Sequence, residues 1–277
     1  MEINKHIVLT TGALPELTGY LKDNRIACHE GSYYTSFDIY ESSPHWEYIQ
    51  KFIYENGLLC QSNPVFLDNE VREAEWMRIW CQWRCGYPQP EDAFMTGKVT
   101  YSREKYCHAC DCGEVQIEPF RMKKEPKWGK RHFAELNWVG DELFLSKTAK
   151  NALESNHITG ISFLPVNNKK GNESFDDIFQ LVVPCVLDAG MVEELTDFDK
   201  ISYCSNCSKK KYVPSGTSIK SFRKEIFSNA PEVVKTFEIF RDMRYAAREI
   251  IVHQRVYRVI TENNLERGLV FEPIRLV

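Results

Sequence analysis

The sequence has no long apolar run. No stretch approaches the roughly 20 apolar residues that a membrane-spanning helix needs. Its first residues, Met1–Thr10, contain no apolar core of the length that a signal peptide carries. We therefore expect a protein that stays in the cytoplasm and does not enter a membrane. Thiols remain reduced in that compartment, which favours metal-ligating or redox cysteines over disulfides.

The sequence also lacks an excess of positive charge and the common catalytic signatures. It carries 35 Lys and Arg against 39 Asp and Glu, a net charge of −4, which argues against a polyanion as main partner. There is no P-loop, no Gly-x-Ser-x-Gly and no His-Glu-x-x-His. His45-Trp46-Glu47 matches half of a zinc-deaminase signature, but tyrosine replaces the proline that should precede Cys-x-x-Cys. We expect a protein that is not an enzyme.

Two short cysteine motifs are the strongest features present. The first hook is Tyr106–Cys110 and the second hook is Tyr203–Cys207, each with the pattern Tyr-Cys-x-x-Cys. Two such thiolate pairs complete a tetrahedral metal site, so the predicted ligands are Cys107, Cys110, Cys204 and Cys207. Four thiolates leave no open coordination position, which predicts a structural zinc. Cys112 remains an alternative to Cys110, and iron an alternative to zinc.

A redox function is the enzymatic alternative for Cys-x-x-Cys. It requires the first cysteine to lie at the N-terminus of a helix, and neither hook is clearly followed by a helical pattern. The five scattered cysteines are expected to be small buried hydrophobic residues. They are Cys28, Cys60, Cys81, Cys85 and Cys185.

The first hundred residues predict an N-terminal α+β lobe. Strands are expected around Ile7–Leu9 and Tyr33–Tyr40. A helix is expected to begin at Ser43-Pro44, with the proline as its first residue, and to end at Gly57. A second, deeply packed helix rich in tryptophan is expected from about Asp68 to Trp83. The lobe boundary is placed near residue 100.

A repeated pattern predicts that residues 101–277 form two related halves, at about 101–190 and 198–277. In each half a hook precedes a strand, a helix, a glycine and another strand. A constant offset of 108 residues aligns Glu154 with Glu262, Asn156 with Asn264, Gly160 with Gly268, Phe163 with Phe271 and Pro165 with Pro273. Glycine ends a helix in the left-handed region and proline limits the strand that follows, so the pattern is physically coherent.

A basic stretch supplies the alternative function. Arg121–His132 contains six Lys and Arg around Trp128, and Lys209–Lys211 lies beside the second hook. Zinc modules use such residues to bind phosphates and to stack on bases, so a zinc-ribbon-like nucleic-acid-binding protein is the alternative hypothesis. The simpler interpretation is that the stretch is a solvated surface loop.

The motifs together resemble the double-CxxCG family of bacterial immunity proteins, which neutralise a co-produced toxin. The resemblance rests on both hooks, on Thr159-Gly160-Ile161 and on the ending Gly268–Ile274, and it covers about residues 100–277. Asp111 and Ser208 stand where the family has glycine. The resemblance implies a non-enzymatic, cytoplasmic protein that binds a protein partner, a cognate toxin. The expected fold is α+β, with a zinc-stapled lobe of two strand–helix–strand halves after the N-terminal lobe.

Overall fold

The computed structural model describes residues 1–12, 14–91, 97–140, 142–240 and 247–277. The chain divides into two compact units. The first unit comprises Met1–Glu70 with Ser215–Ile219, and the second comprises Val71–Pro214 with Lys220–Val277. Both contain helices and strands, so the predicted α+β class is confirmed.

The first unit contains a four-stranded antiparallel sheet in the order β2-β3-β1-β4. Its core consists of apolar side chains that alternate along β1 and β3 and pack against two helices. Its elements are β1 (Glu2–Thr10), α1 (Pro15–Asp23), β2 (Cys28–Glu30), β3 (Tyr34–Tyr40), α2 (Trp46–Asn56) and β4 (Leu59–Val65). A further helix, α3 (Asp68–Glu73), carries the chain from the first unit into the second.

Both strands predicted in the first unit are confirmed, as is the helix that ends at Gly57. That glycine has a left-handed φ of 59° and closes α2. The helix begins at Trp46 and not at Pro44, and the Ser43 hydroxyl accepts a hydrogen bond from the His45 amide just before it. Helix α1 was not predicted. Its sequence has a weak apolar stripe, of which only Leu17 and Leu21 are buried.

The second unit contains several sheets and two main helices. Its elements are β5 (Trp76–Cys81), α4 (Gly97–Thr100), β6 (Tyr101–Ser102), β7 (Val115–Gln116), β8 (Arg121–Met122), β9 (Phe133–Ala134), β10 (Leu143–Leu145), α5 (Lys147–Ser155), β11 (Ser162–Asn168), β12 (Ser174–Val182), β13 (Phe198–Tyr203), β14 (Lys210–Pro214), β15 (Ser221–Phe222), β16 (Val233–Lys235), β17 (Ile239–Phe240), β18 (Ile250–His253), α6 (Gln254–Glu262), β19 (Leu269–Pro273) and β20 (Arg275–Leu276), with short 3₁₀ turns at Glu193–Leu195 and Lys224–Phe227.

Two of these sheets share one hydrophobic core. The strand orders are β8-β11-β12-β10-β9 and β16-β18-β5-β19. Helices α5 and α6 contact each other and contribute apolar residues to the same cluster as both sheets. The second unit is therefore held together by a core that neither sheet forms alone.

The tryptophan-rich helix predicted from Asp68 to Trp83 is wrong. Helix α3 ends at Glu73, and Trp76–Cys81 form strand β5 at the interior of a sheet. Met77, Ile79 and Cys81 alternate into the core, which is the period of a strand. Because β5 pairs with β18 and β19, it belongs to the second unit, and the division lies at residue 70 and not near residue 100.

The strand–helix–glycine–strand order is present twice, as predicted, but β5, the central strand of the second copy, lies outside the predicted half 198–277. It consists of β10, α5, Gly160 and β11 in one place and of β18, α6, Gly268 and β19 in the other. Both glycines have a positive φ, 84° and 89°. Strands β10 and β11 flank β12, and strands β18 and β19 flank β5, in the same register. Phe163 and Leu143 both pair with Leu181 of β12, and Phe271 and Ile250 both pair with Ile79 of β5.

Candidate metal centre

Short antiparallel strands present both hooks. Strands β6 and β7 pair Ser102 with Val115 on either side of the first hook. Strands β13 and β14 pair Tyr203 with Lys210 on either side of the second. Each hook is thus a tight loop at the end of a hairpin, and neither begins a helix. The geometry that a redox Cys-x-x-Cys requires is therefore missing at both hooks.

The two loops have the same backbone hydrogen bonds. In the first, the Asp111 amide donates to the Cys107 carbonyl at 2.8 Å, and in the second the Ser208 amide donates to the Cys204 carbonyl at 2.9 Å. The Cys107 amide donates to the Cys112 carbonyl at 2.8 Å, and the Cys204 amide donates to the Lys209 carbonyl at 2.9 Å. The hooks are therefore structurally equivalent, at a spacing of 97 residues.

The residue after each hook has a left-handed backbone. Asp111 has φ 55° and Ser208 has φ 57°. Glycine adopts this conformation without a steric penalty, which is a physical reason for glycine at this position. Aspartate and serine retain the same loop geometry here. A later glycine, Gly113, also has a positive φ of 105°, and a Cβ there would lie 2.3 Å from the Lys105 carbonyl oxygen.

The four predicted ligands converge. The Sγ atoms of Cys107, Cys110, Cys204 and Cys207 all lie within 4.8 Å of one another. The closest pairs across the hooks are Cys110 with Cys207 at 3.4 Å and Cys107 with Cys204 at 3.6 Å. A tetrahedral zinc with Zn–S bonds of about 2.3 Å separates its sulfurs by about 3.8 Å, so these distances fit. They are too long for a disulfide, whose sulfurs lie about 2.05 Å apart.

Cys112 lies outside this group. Its Sγ donates to the Cys110 carbonyl at 3.4 Å, and its side chain is buried. The structure therefore places Cys110, and not Cys112, with the other three sulfurs. The sequence could not decide this, because spacing alone does not say which way a side chain points.

The protein environment acts differently on the thiols. Burial and hydrogen bonds with neighbouring thiols raise the pKa of Cys110 above its usual value. The main-chain amides of Cys207 and Asn206 lower the pKa of Cys204 to about 6. Cys204 thus carries a negative charge more readily than Cys110. A metal ion held by these four sulfurs would supply the positive charge that favours their thiolate forms.

Of the scattered cysteines, Cys81 is buried as predicted, with 2 % of its surface exposed. Its thiol donates to the carbonyl of Phe133 at 3.3 Å. Cys60 is exposed, contrary to the expectation, because it lies on the edge strand β4. The other three, Cys28, Cys85 and Cys185, are half-buried.

Part of the basic stretch is tied into the second unit, while Lys123, Lys124, Lys127 and Lys130 are exposed. The indole of Trp128 is buried and donates to the Asp177 carbonyl at 2.8 Å, so it does not stack on an outside base. Arg131 lies 5.2 Å from the ring of Trp83. Lys210 pairs with Glu193, and Lys211 is buried. These contacts give Trp128 and Arg131, and the two lysines beside the second hook, structural roles.

No protein-family model matches the chain, and no curated protein matches it. Within the described residues, no helix has the length and apolar character needed to cross a membrane.

Proposed function

We propose that the two hooks bind one zinc ion and that this zinc is structural. The observation that carries the proposal is the convergence of four Sγ atoms at ligand distance from hairpins 97 residues apart. Four protein ligands saturate a tetrahedral zinc, so no position is left for a substrate or a water. The zinc would hold the two hook hairpins together and perform no chemistry.

Metal analysis of the purified protein tests this proposal. We expect about one zinc per chain, because four thiolates in a tetrahedron suit zinc, and iron is the other ion that such a site accepts. A native, folded protein that contains no metal would contradict the proposal. One equivalent of iron in place of zinc would support the metal site and show that iron is the ion it binds.

We also propose that the two halves of the second unit arose by duplication. The support is the shared register around β12 and β5, together with a reciprocal contact. A Cβ at Gly160 would lie 2.9 Å from the Pro231 side chain, and a Cβ at Gly268 would lie 3.8 Å from the Arg131 side chain. Strand β9 pairs with β10 as β16 pairs with β18, so that Phe133 of β9 corresponds to Val233 of β16. Arg131 and Pro231, each two residues earlier, therefore occupy corresponding positions. Such reciprocity is expected of a two-fold arrangement.

For the biological function, we propose an immunity protein that binds a cognate bacterial toxin in the cytoplasm. The resemblance of both hooks and of the glycine–strand endings to the double-CxxCG family supports this proposal. A closed tetrathiolate offers no catalytic metal position, which is compatible with a binding protein.

The surface of the first unit supports a protein partner. Residues 1–70 contain ten Asp and Glu against four Lys and Arg, a net charge of −6, so the rest of the chain carries +2. Five of the six tyrosines in this unit are among its exposed large side chains: Tyr33, Tyr34, Tyr40, Tyr48 and Tyr54. Tyrosine is enriched in protein interfaces, and an acidic surface favours a basic partner.

One patch combines both properties. The rings of Tyr20 on α1 and Tyr48 on α2 stack at 4.0 Å. Partial desolvation and the Glu16 carboxylate raise the pKa of the Tyr48 hydroxyl, with a smaller contribution from Glu55. We name these four residues the acidic tyrosine patch, and we propose it as part of the toxin-binding surface.

Co-expression with the product of a neighbouring toxin gene tests the function. The toxin to choose is a large secreted protein with a variable C-terminal domain. We expect the chain to protect cells and to bind that domain directly. The double variant Glu16→Lys/Glu55→Lys should weaken binding at least tenfold, while Glu262→Lys, an exposed reversal on α6, should not. Failure of the wild-type chain to protect or bind would end the immunity proposal.

A further inference from the structure

A buried lysine lies beside the candidate zinc site. Lys211 is in β14, four residues after Cys207, and only 6 % of its surface is exposed. Its ammonium group donates to the main-chain carbonyl of Cys110. Lys211 therefore reaches from the strand that follows the second hook to the backbone of the first.

The positive charge of Lys211 has no carboxylate partner among the described residues. The other two lysines of comparable burial both have one. Lys5 pairs with Glu41 at 2.8 Å, and Lys235 pairs with Glu142 at 2.7 Å. A buried ammonium that is not balanced by a negative charge costs several kcal/mol. A carbonyl oxygen satisfies one of its donors but supplies no net charge.

The negative charge is available at the hooks. A zinc ion with four thiolates carries a net charge of −2, and one of those ligands, Cys110, has the carbonyl that Lys211 contacts. We propose that Lys211 is the counter-charge of the zinc tetrathiolate and that it strengthens zinc binding. This inference rests on the zinc site proposed above. Lys211 is a positioning and charge-balancing residue and not a ligand.

A second lysine, Lys209, also lies close to the loop after the first hook. Lys209 also belongs to the segment after the second hook, and its Nζ lies 3.1 Å from where a Cβ at Gly113 would stand. The loop after the first hook therefore faces positive charge from both lysines. Lys209 is half-buried and solvent screens it, so the larger effect is expected at Lys211.

Zinc affinity measured by competition with a chromophoric chelator tests the proposal. Lys211→Gln keeps a donor for the Cys110 carbonyl and removes the charge, and Lys211→Arg keeps the charge. We expect the Gln variant to bind zinc about 10- to 100-fold more weakly, the range typical of contacts that support metal ligands. The Arg variant should stay within about threefold of the wild type, since its charge is the same.

Lys235→Gln is the matched control, because it removes the charge of another buried lysine of the same unit that already has a carboxylate partner. It should lower the stability of the fold and leave zinc affinity unchanged. Equal zinc affinity in the wild type and Lys211→Gln would overturn the counter-charge proposal, and so would equal losses in the Gln and Arg variants. A wild-type protein that binds no zinc would instead overturn the zinc site itself.

A cobalt titration covers the case in which Lys211→Gln does not fold. Tetrahedral cobalt thiolates absorb visible light, so metal binding can be followed in Lys211→Arg and Lys209→Gln, which make smaller changes. We expect Lys209→Gln to weaken cobalt binding by less than about tenfold and Lys211→Arg to leave it nearly unchanged. A larger loss in the Arg variant than in Lys209→Gln would contradict a counter-charge at position 211.

Discussion

At the residue scale, the backbone of Ser208 has a consequence that can be measured. Serine is held at φ 57° after the second hook, and its side chain is exposed. The left-handed region costs a residue with a Cβ about 1–2 kcal/mol, and glycine avoids this cost. Part of the resulting gain is offset, because glycine loses more conformational entropy on folding than serine does. We expect Ser208→Gly to raise the free energy of unfolding of the zinc-bound protein by about 0.5–1 kcal/mol, measured by urea denaturation.

The control for this prediction is Ser205→Gly. Ser205 lies in the same hook, is exposed and has no positive φ. Glycine there should leave stability unchanged or lower it slightly, because it adds only flexibility to the unfolded chain. Ser208→Gly that destabilises as much as Ser205→Gly would contradict the argument from backbone strain.

The two hooks could be predicted as a metal site from the sequence, since a Cys-x-x-Cys pair fits two corners of a tetrahedron at any place in the chain, but the choice of Cys110 over Cys112 could not. Lys211 could not be predicted. It reads as one of three consecutive lysines, and nothing in Lys209–Lys211 says that the third one is buried. Its burial follows from the pairing of β14 with β13 and β17, which is a tertiary property.

At the scale of elements, the two glycines that end the repeated helices provide a matched pair. Both have a positive φ, but a Cβ at Gly160 would lie 2.2 Å from the Val233 carbonyl oxygen, while a Cβ at Gly268 would have no described neighbour closer than 3.8 Å. Gly268→Ala should cost about 1 kcal/mol, from backbone strain alone. Gly160→Ala should cost about 3 kcal/mol, because the clash adds to that strain.

Urea denaturation of both variants checks this prediction, with the slope of the transition compared to exclude a change in the unfolded state. Equal losses of stability in Gly160→Ala and Gly268→Ala would show that the close approach to Val233 has no energetic weight.

The misassigned strand β5 illustrates where sequence patterns fail. Val71, Ala74, Met77 and Cys81 recur at helical spacing, while Met77, Ile79 and Cys81 recur at strand spacing. A short apolar run satisfies both periods. Pairing on both sides, with β18 and β19, decides in favour of the strand, and these partners lie far away in the sequence. An element with a clear end signal, such as the helix that Gly57 closes, is predicted well.

At the scale of the whole molecule, the proposed zinc would contribute a large part of the stability of the second unit. Structural zinc binding supplies roughly 10–16 kcal/mol of apparent free energy, comparable with the net stability of a domain. Cys204→Ser should therefore abolish stoichiometric zinc and lower the melting temperature sharply in calorimetry. Cys60→Ser, at an exposed thiol outside the site, should do neither. An unchanged melting temperature in Cys204→Ser would contradict a structural metal.

A buried ion network links distant parts of the second unit. Arg78 on β5 pairs with Glu249 at 3.0 Å and with Glu272 on β19 at 2.7 Å, and Lys220 pairs with Glu249 at 2.8 Å. Burial alone would raise the pKa of Glu272, but Arg78 and Lys220 outweigh it and lower that pKa. The stabilisation is therefore present above the unfolded value of about 4.3 and is lost as the pH falls through the lower folded value.

Glu272→Gln should thus lower the free energy of unfolding at pH 7 by roughly 3 kcal/mol, since it leaves part of the charge on Arg78 unbalanced. It should also make stability less dependent on pH below about 4.3, because one proton-linked group is gone. Denaturant titrations at pH 7 and at pH 3 measure both effects. Glu262→Gln, on the exposed side of α6, should change neither by more than about 0.5 kcal/mol.

The position of β5 has a consequence for the newly made chain. This strand, rich in tryptophan, needs partners that begin about 170 residues later. A ribosome adds about 5–20 residues per second, so β5 waits roughly 10–30 seconds with both edges unpaired. An unpaired apolar strand invites pairing with other chains. Translation that stops before Ile250 should therefore leave an aggregation-prone product, even when the first unit and both cysteine hooks are complete.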